Sequence, residues 1–129
     1  IMAKRTKELG VKPEIECFEL GHILLAKELI AKGFIEDPPL FQLCLGIQWS
    51  APATPEVMQV MRNQLPANAT WSAFGISRSE FNMVAAAVNL GGHVRVGLED
   101  ALPSARRETQ VLPCVVLLEL HAELQRVAG

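Results

Sequence analysis

Short, strongly apolar segments of strand length alternate along this chain with segments long enough for helices, and this alternation constrains the fold more than any other feature. Strands that are apolar on both faces are typical of a parallel sheet covered by helices, with right-handed connections. The sequence therefore predicts an α/β fold with the order βαβαβαβα, preceded by the end of a helix. The predicted strands are 13–18, 40–46, 70–74 and the run that begins at 91; the predicted helices are 1–10, 21–32, about 55–64, 79–90 and 111–127.

Glycine, proline and threonine mark several of the predicted helix ends. Gly10 and Gly33 each follow a helical pattern, and glycine is a common helix stop. Thr54 directly precedes Pro55, which predicts an N-cap followed by proline at the first helical position. The helix that precedes the first strand begins at the first residue of the sequence, so we expect these 129 residues to be part of a larger protein.

Polar residues follow each of the four predicted strands. Four βα units are half of a (β/α)8 TIM barrel, whose active sites lie in the loops after the strands. They could instead form a small doubly wound sheet, which also binds ligands there. The pattern therefore favours an enzyme more than it favours one topology. The polar residues are Glu19 and His22 after the first strand, 48–54 after the second, Ser77 and Arg78 after the third, and Glu99 and Asp100 after the fourth.

Charge and cysteine content exclude several classes of protein. The 12 Lys and Arg residues are scattered and the net charge is −2, so no basic stripe is present for nucleic acid or anionic lipid. No apolar run approaches the length of a membrane span. We also expect no signal peptide. Cys17, Cys44 and Cys114 lie far apart without a Cys-x-x-Cys motif, which argues against a disulfide framework or a zinc knuckle. We expect a reduced, cytoplasmic setting.

The run at residues 91–100 (GGHVRVGLED) ends in two adjacent carboxylates, Glu99 and Asp100. Two carboxylates at the end of a strand suit a metal ligand beside a general base. The alternative is a turn or a helix N-cap with both groups in water. Because strand side chains alternate between faces, one face carries His93, Arg95, Gly97 and Glu99, and the other carries Val94, Val96 and Leu98.

Four segments together resemble the β-keto acid cleavage enzymes, the family of 3-keto-5-aminohexanoate cleavage enzyme-like proteins. The run GGHVRVGLED is the specific motif, and the other three follow the family's order at plausible intervals. The resemblance covers roughly residues 10–100 of the chain. The other three segments are 13–22 (PEIECFELGH), 51–56 (APATPE) and 71–78 (WSAFGISR).

The resemblance implies a fold and a reaction. The family consists of zinc-dependent TIM barrels that exchange a 3-keto acid with acetyl-CoA, giving acetoacetate and a new CoA thioester. By that resemblance residues 1–129 are the C-terminal part of a single barrel domain, covering about its last four βα units. Glu99 is then a zinc ligand, Asp100 the general base, and Arg95 the cation that supports the base and the substrate. Zinc would act as a Lewis acid, and the resemblance also implies a homo-oligomer.

The chain departs from the family pattern in two places. The family binds zinc with a His-x-His pair, which this chain lacks, and a catalytic zinc normally has three protein ligands. The remaining ligands are therefore expected outside this chain, and we expect the chain alone to be inactive. Residues 101–107 also depart from the family's loop. The alternatives are a non-catalytic truncated or degenerate remnant, or a small doubly wound α/β binding domain.

A few other polar residues are candidates for substrate contacts. Glu14 and Glu16 share one strand face, so either could meet a polar group of the substrate inside a barrel. Arg78 precedes a helix, where it could contact a CoA phosphate or form a surface salt bridge. His22 could be a ligand, or it could line the pocket or cap a helix. His93 could also be a ligand, but a structural role is favoured for it.

Overall fold

The computed structural model describes residues 2–97, within which helices and strands alternate as the sequence predicts. Glu99, Asp100 and the predicted helix at 111–127 lie outside the described residues. The elements are α1 (Met2–Glu8), β1 (Glu14–Cys17), α2 (Leu20–Ala31), β2 (Leu40–Leu45), α3 (Pro55–Asn63), β3 (Thr70–Gly75), a 3-10 turn (Ser77–Ser79), α4 (Glu80–Asn89) and β4 (His93–Val94).

All four strands are parallel and lie side by side in chain order, β1-β2-β3-β4. A doubly wound sheet reverses its strand order at a switch point and carries helices on both faces. Within residues 2–97 the order has no reversal, and the core side chains of α2, α3 and α4 form one cluster with a single face of the sheet. Sequential parallel strands with helices on one face are the arrangement found in each part of a TIM barrel.

The hydrophobic core lies between the sheet and the three helices. Alternate residues of each strand point toward the helices, as the period of two requires. Phe41, Leu43 and Leu45 of β2 are all fully buried, so this strand has the largest share of the core. Burying one such side chain contributes about 1.5–3 kcal/mol to folding. The cluster comprises Cys17, Ile23, Ala26, Phe41, Leu43, Leu45, Met58, Met61, Trp71, Ala73, Met83, Ala86 and Ala87.

The predicted helix ends are confirmed. The hydroxyl of Thr54 accepts a hydrogen bond from the backbone N–H of Val57 at 3.3 Å, and Pro55 begins α3. Gly10 and Gly33 have φ of +66° and +71°, a left-handed conformation that glycine adopts without a steric penalty.

Two predicted boundaries differ from the structure. Residues 77–79 form a 3-10 turn, where a loop through Arg78 and a helix from Ser79 are predicted. The chain enters α4 at Glu80 without a capping hydrogen bond from the Ser79 side chain. Within residues 2–97 the fourth strand pairs with β3 only at His93 and Val94, where a longer strand is predicted. Beyond this strand, Gly97 donates its backbone N–H to Glu80 at the start of α4.

The start of β4 depends on close packing between Gly92 and Trp71. A Cβ atom at position 92 would lie 2.5 Å from the indole ring of Trp71, which is itself part of the core. The backbone of Gly92 therefore lies directly against the ring. Among the helices of residues 2–97, none is both long and apolar enough to cross a bilayer.

Candidate functional site

A row of four polar side chains crosses the sheet on the face opposite the described helices. Strand pairing aligns Glu16 with Gln42, Gln42 with Ser72, and Ser72 with His93, so each strand contributes one residue at the same height. We call these four residues the polar row. The residues that flank them in each strand face the core, which fixes the row on the other side of the sheet.

The two central residues of the polar row are buried, although one polar atom of each has no hydrogen-bond partner in the part of the chain that the structure describes. Gln42 and Ser72 are only 5% and 7% exposed. The Gln42 side-chain nitrogen Nε2 and the Ser72 hydroxyl Oγ have no hydrogen-bond partner within residues 2–97. Buried polar atoms are nearly always hydrogen-bonded, so such a pair in adjacent strands is unusual. The sequence does not predict either residue as part of a site, because a glutamine and a serine inside apolar strand segments carry no signature of one.

Arg95 lies on the same face as the polar row, just beyond its end. Its guanidinium carbon is 4.9 Å from the centroid of the Phe74 ring, and Phe74 follows Ser72 by two residues on β3. A guanidinium over an aromatic face is held by the ring's negative electrostatic potential. The structure thus places Arg95 on the polar face of the sheet, as the alternation of the sequence predicts.

Glu14 and Glu16 both lie exposed on β1. They share a face with Gln42, because Glu14 pairs with Leu40 and Glu16 pairs with Gln42. This face therefore has carboxylates at β1 and the Arg95 cation beyond β4, with Gln42, Ser72 and His93 between them.

Arg78 lies apart from the polar row, in the turn between β3 and α4, and its side chain is exposed. No ion pair to it is found within residues 2–97. The turn follows the carboxyl end of β3, the end at which barrel enzymes bind phosphate groups. The position of Arg78 agrees with both predicted roles, which are a contact to a CoA phosphate and a surface salt bridge.

His22 interacts with the end of β1. Its Nδ1 atom accepts a hydrogen bond from the backbone N–H of Phe18 at 3.1 Å, and its Nε2 lies 3.8 Å from a carboxylate oxygen of Glu19. The Phe18 contact requires an unprotonated Nδ1, so the neutral ring carries its proton on Nε2. His22 thus fixes the loop between β1 and α2.

Trp49 lies in the loop after β2 and is 94% exposed. Its φ of +66° is unusual for a bulky residue. It borders a groove of about 540 Å³ between α2 and α3. The sequence predicts site residues in this loop only from its polar side chains, so it gives no role to Trp49. The groove is lined by Glu19, Leu20, Trp49, Ser50, Ala51, Glu56, Val57, Val60 and Met61.

Glu80 is a buried carboxylate that the sequence analysis did not single out. It is the first residue of α4, only 1% exposed, and its Oε1 accepts a hydrogen bond from the backbone N–H of Gly97 at 3.2 Å. A glutamate in the first turn of a helix is usually a solvated residue that complements the helix dipole. For that reason the sequence gives no signal of its burial.

The described part of the chain contains no group of three histidine, cysteine or acidic side chains that could hold a metal ion. The predicted metal ligand Glu99 and the predicted base Asp100 lie outside residues 2–97. Of the predicted site residues, Arg95, Glu14 and Glu16 share one face of the sheet, and Arg78 lies apart from them.

Comparison with known proteins identifies the family. Residues 1–112 match the sequence profile of a family described as beta-keto acid cleavage enzyme. The chain belongs to the beta-keto acid cleavage enzyme family. This confirms the resemblance carried by the four sequence motifs.

Several curated relatives of the family are similar to this chain. A 3-dehydrocarnitine:acetyl-CoA trimethylamine transferase of Rhizobium meliloti is 52% identical over 78% of this chain and 34% of its own length. A 3-keto-5-aminohexanoate cleavage enzyme of Fusobacterium nucleatum is 46% identical over 72% of this chain and 34% of its own length. A 3-oxoadipate:acetyl-CoA acetyltransferase of Cupriavidus necator is 36% identical over 77% of this chain and 36% of its own length. The chain spans about a third of the length of the curated relatives it matches.

Proposed function

We propose that residues 1–129 are the C-terminal part of a single (β/α)8 barrel domain in a β-keto acid cleavage enzyme. We call the complete barrel, with residues 1–129 as its C-terminal part, the whole enzyme. Family membership carries the proposal. The sequential parallel order of β1 to β4 and the single helix-covered face support it, because both fit a segment of a barrel.

The proposed reaction exchanges a 3-keto acid with acetyl-CoA to give acetoacetate and a CoA thioester. The names of the relatives, which act on 3-dehydrocarnitine, 3-keto-5-aminohexanoate or 3-oxoadipate, support this substrate class. The whole enzyme is proposed to be a homo-oligomer. A reduced, cytoplasmic setting is also proposed, because Cys17, Cys44 and Cys114 lie far apart in the sequence without a Cys-x-x-Cys motif.

Asp100 and Arg95 are proposed to carry the chemistry. Asp100 takes a proton from the bound acid, so that an enolate-like nucleophile can form. Arg95 pairs with the substrate carboxylate and stabilises the ionised base. The position of Arg95 on the polar face of the sheet supports this role, and the Phe74 ring orients its planar group. Glu14, Glu16 and Arg78 are proposed to contact the two substrates.

Zinc is proposed as the cofactor of the whole enzyme, with Glu99 as the ligand from this chain. Residues 2–97 supply no metal site of their own, so the remaining ligands would come from outside this chain. When bound, zinc would supply a Lewis acid that polarises the substrate oxygens.

Two substitutions in the whole enzyme test the proposal. Asp100→Asn is expected to lower the rate of acetoacetate formation by about 10²–10⁴-fold, while the zinc content measured by mass spectrometry stays unchanged. Glu99→Gln is expected to release the metal. Glu28→Gln, on the exposed surface of α2, is the control and should change neither quantity. Undiminished activity of Asp100→Asn would overturn the assignment of Asp100 as the base. Full zinc content in Glu99→Gln would show that Glu99 is not a zinc ligand.

Residues 1–129 expressed alone are expected to show no acetoacetate formation, because their metal site would be incomplete. Activity of the isolated chain would overturn that part of the proposal. The doubly wound alternative lacks support, since the described strands keep chain order and the described helices pack on one face.

A further inference from the structure

The central pair of the polar row, Gln42 and Ser72, has the properties of a binding subsite. The two residues are paired in register on neighbouring strands, and both are more than nine-tenths buried. Gln42 Nε2 and Ser72 Oγ have no hydrogen-bond partner within residues 2–97. A buried donor without a partner destabilises the folded chain, so a ligand oxygen that accepts from it recovers a hydrogen bond.

The spacing of the pair suits a single acceptor group. Neighbouring strands lie about 4.8 Å apart, so an amide and a hydroxyl on the same face can both reach one oxygen atom or the two oxygens of one group. The amide of glutamine supplies two N–H donors and the serine hydroxyl supplies one O–H donor. Neither residue carries a charge, so the pair recognises an oxygen by hydrogen bonds alone.

The distance along the strands between Arg95 and the Gln42–Ser72 pair fits an extended keto acid. The Arg95 guanidinium lies over the Phe74 ring, and Phe74 follows Ser72 by two residues on β3. Two residues of a parallel strand span about 6.6 Å. An acid whose carboxylate is close to Arg95 can therefore extend along the sheet as far as the pair.

We propose that Gln42 and Ser72 bind the 3-keto acid of the whole enzyme by donating hydrogen bonds to one of its oxygens. This inference rests on the proposed function, and it assigns two substrate-binding residues to the same face as Arg95. The oxygen belongs either to a group at the end of the acid remote from its carboxylate or to the carboxylate itself. Both sources present the same acceptor chemistry, and the test distinguishes them.

The test compares Ser72→Ala, Ser72→Thr and Gln42→Met in the whole enzyme. Binding of a 3-keto acid is measured by calorimetry without acetyl-CoA, and kcat and KM are measured with it. Ser72→Ala and Gln42→Met should each weaken binding about tenfold, while Ser72→Thr, which keeps a hydroxyl, should restore most of it. Thr70→Val, which removes an exposed hydroxyl two residues earlier on β3, is the matched control and should bind normally.

Stability separates binding from a structural role. The atoms removed have no partner within residues 2–97, so Ser72→Ala and Gln42→Met should leave the denaturation midpoint unchanged or raise it. A fall in the midpoint with unchanged keto acid affinity would overturn the inference, because protein groups would then be the partners of the pair.

Two 3-keto acids that differ only by a hydroxyl at the remote end identify the oxygen. If the pair binds the remote group, Ser72→Ala loses affinity for the hydroxylated acid alone. If the pair binds the carboxylate, Ser72→Ala loses affinity for both acids equally. A wild-type enzyme that binds no 3-keto acid would overturn the proposed function and with it the inference. A wild-type enzyme that binds and converts these acids, with variants of equal affinity, would overturn the inference alone.

Discussion

The carboxylate of Glu80 accepts a hydrogen bond from the backbone N–H of Gly97, 3.2 Å away. Glu80 is the first residue of α4, and Gly97 lies three residues beyond the end of β4 and two before Glu99. The contact therefore fixes the chain after β4 to the start of a neighbouring helix.

Removing the Glu80 carboxylate should loosen the chain at Gly97. We expect Glu80→Ala to lower the free energy of unfolding by about 1–3 kcal/mol, because the partly buried backbone N–H of Gly97 loses its hydrogen-bond acceptor. Glu80→Gln keeps an oxygen acceptor and should lose less. Hydrogen–deuterium exchange at Gly97 should accelerate strongly in Glu80→Ala and weakly in Glu80→Gln.

Glu28→Ala is the matched control for Glu80. Its carboxylate is exposed and pairs only with Lys32 one turn away, so neither the unfolding midpoint nor the exchange rate at Gly97 should move. Equal exchange rates at Gly97 in wild type and Glu80→Ala would contradict the role of Glu80.

The contact between Gly92 and Trp71 predicts that position 92 tolerates no side chain. Gly92→Ala should lower the free energy of unfolding by about 1–3 kcal/mol, because the added methyl group meets a rigid buried ring. Gly21→Ala is the control. Its Cβ would meet only the flexible side chain of Glu19, and in a helix alanine is more favourable than glycine. Chemical denaturation of both variants checks the prediction, and a stable Gly92→Ala would contradict it.

The stacking of Arg95 on Phe74 predicts that charge alone does not replace the arginine. In the whole enzyme, Arg95→Gln should raise the KM for the keto acid about 10–100-fold, because a charge-assisted contact is lost. Arg95→Lys should recover only part of this, since lysine lacks the planar group that lies over the ring. Arg62→Gln, an exposed residue of α3, should leave KM unchanged. A KM of wild-type size in Arg95→Gln would remove Arg95 from the substrate contacts.

Burial, followed by the charges of Glu16 and Glu19, raises the pKa of the Cys17 thiol from 9.0 to about 12. Below pH 9 the thiol is neutral in both the folded and the unfolded chain, and its contribution to stability is fully present. Between pH 9 and about 12 the Cys17 thiol ionises in the unfolded chain but stays neutral in the folded chain. Its contribution to stability is therefore lost as the pH rises through this range.

Comparing wild type with Cys17→Ala isolates this effect. The variant should be less stable at pH 8, because a core side chain is shortened. Its deficit should shrink as the pH rises from 9 to 11, since only the wild type loses stability by ionisation of this thiol. Denaturant midpoints at several pH values provide the measurement. A deficit that stays constant over this range would contradict the raised pKa.

Most of the fold was predictable because it depends on local signals. The strand and helix patterns have different periods, and Thr54, Pro55, Gly10 and Gly33 mark boundaries by their own backbone chemistry. The face of Arg95 was also predictable, because alternation along a strand needs no knowledge of the neighbouring strands.

The rest depends on contacts between distant parts of the chain. The hydrogen bond between Gly97 and Glu80 joins residues 17 apart in the sequence, and no local pattern encodes it. Gln42 and Ser72 become a pair only through the register between β2 and β3. Glu99 and Asp100 were predicted from the family motif, and their roles remain predictions.

The register of the polar row also bears on how such a chain can vary. Each of its four residues comes from a different strand, and none of them belongs to the helix-packed cluster. Mutation can therefore replace one of these side chains at a time, while the groups that hold the sheet to its helices stay the same. The side chains on this face, and the groups they can bind, can therefore change while the fold stays the same.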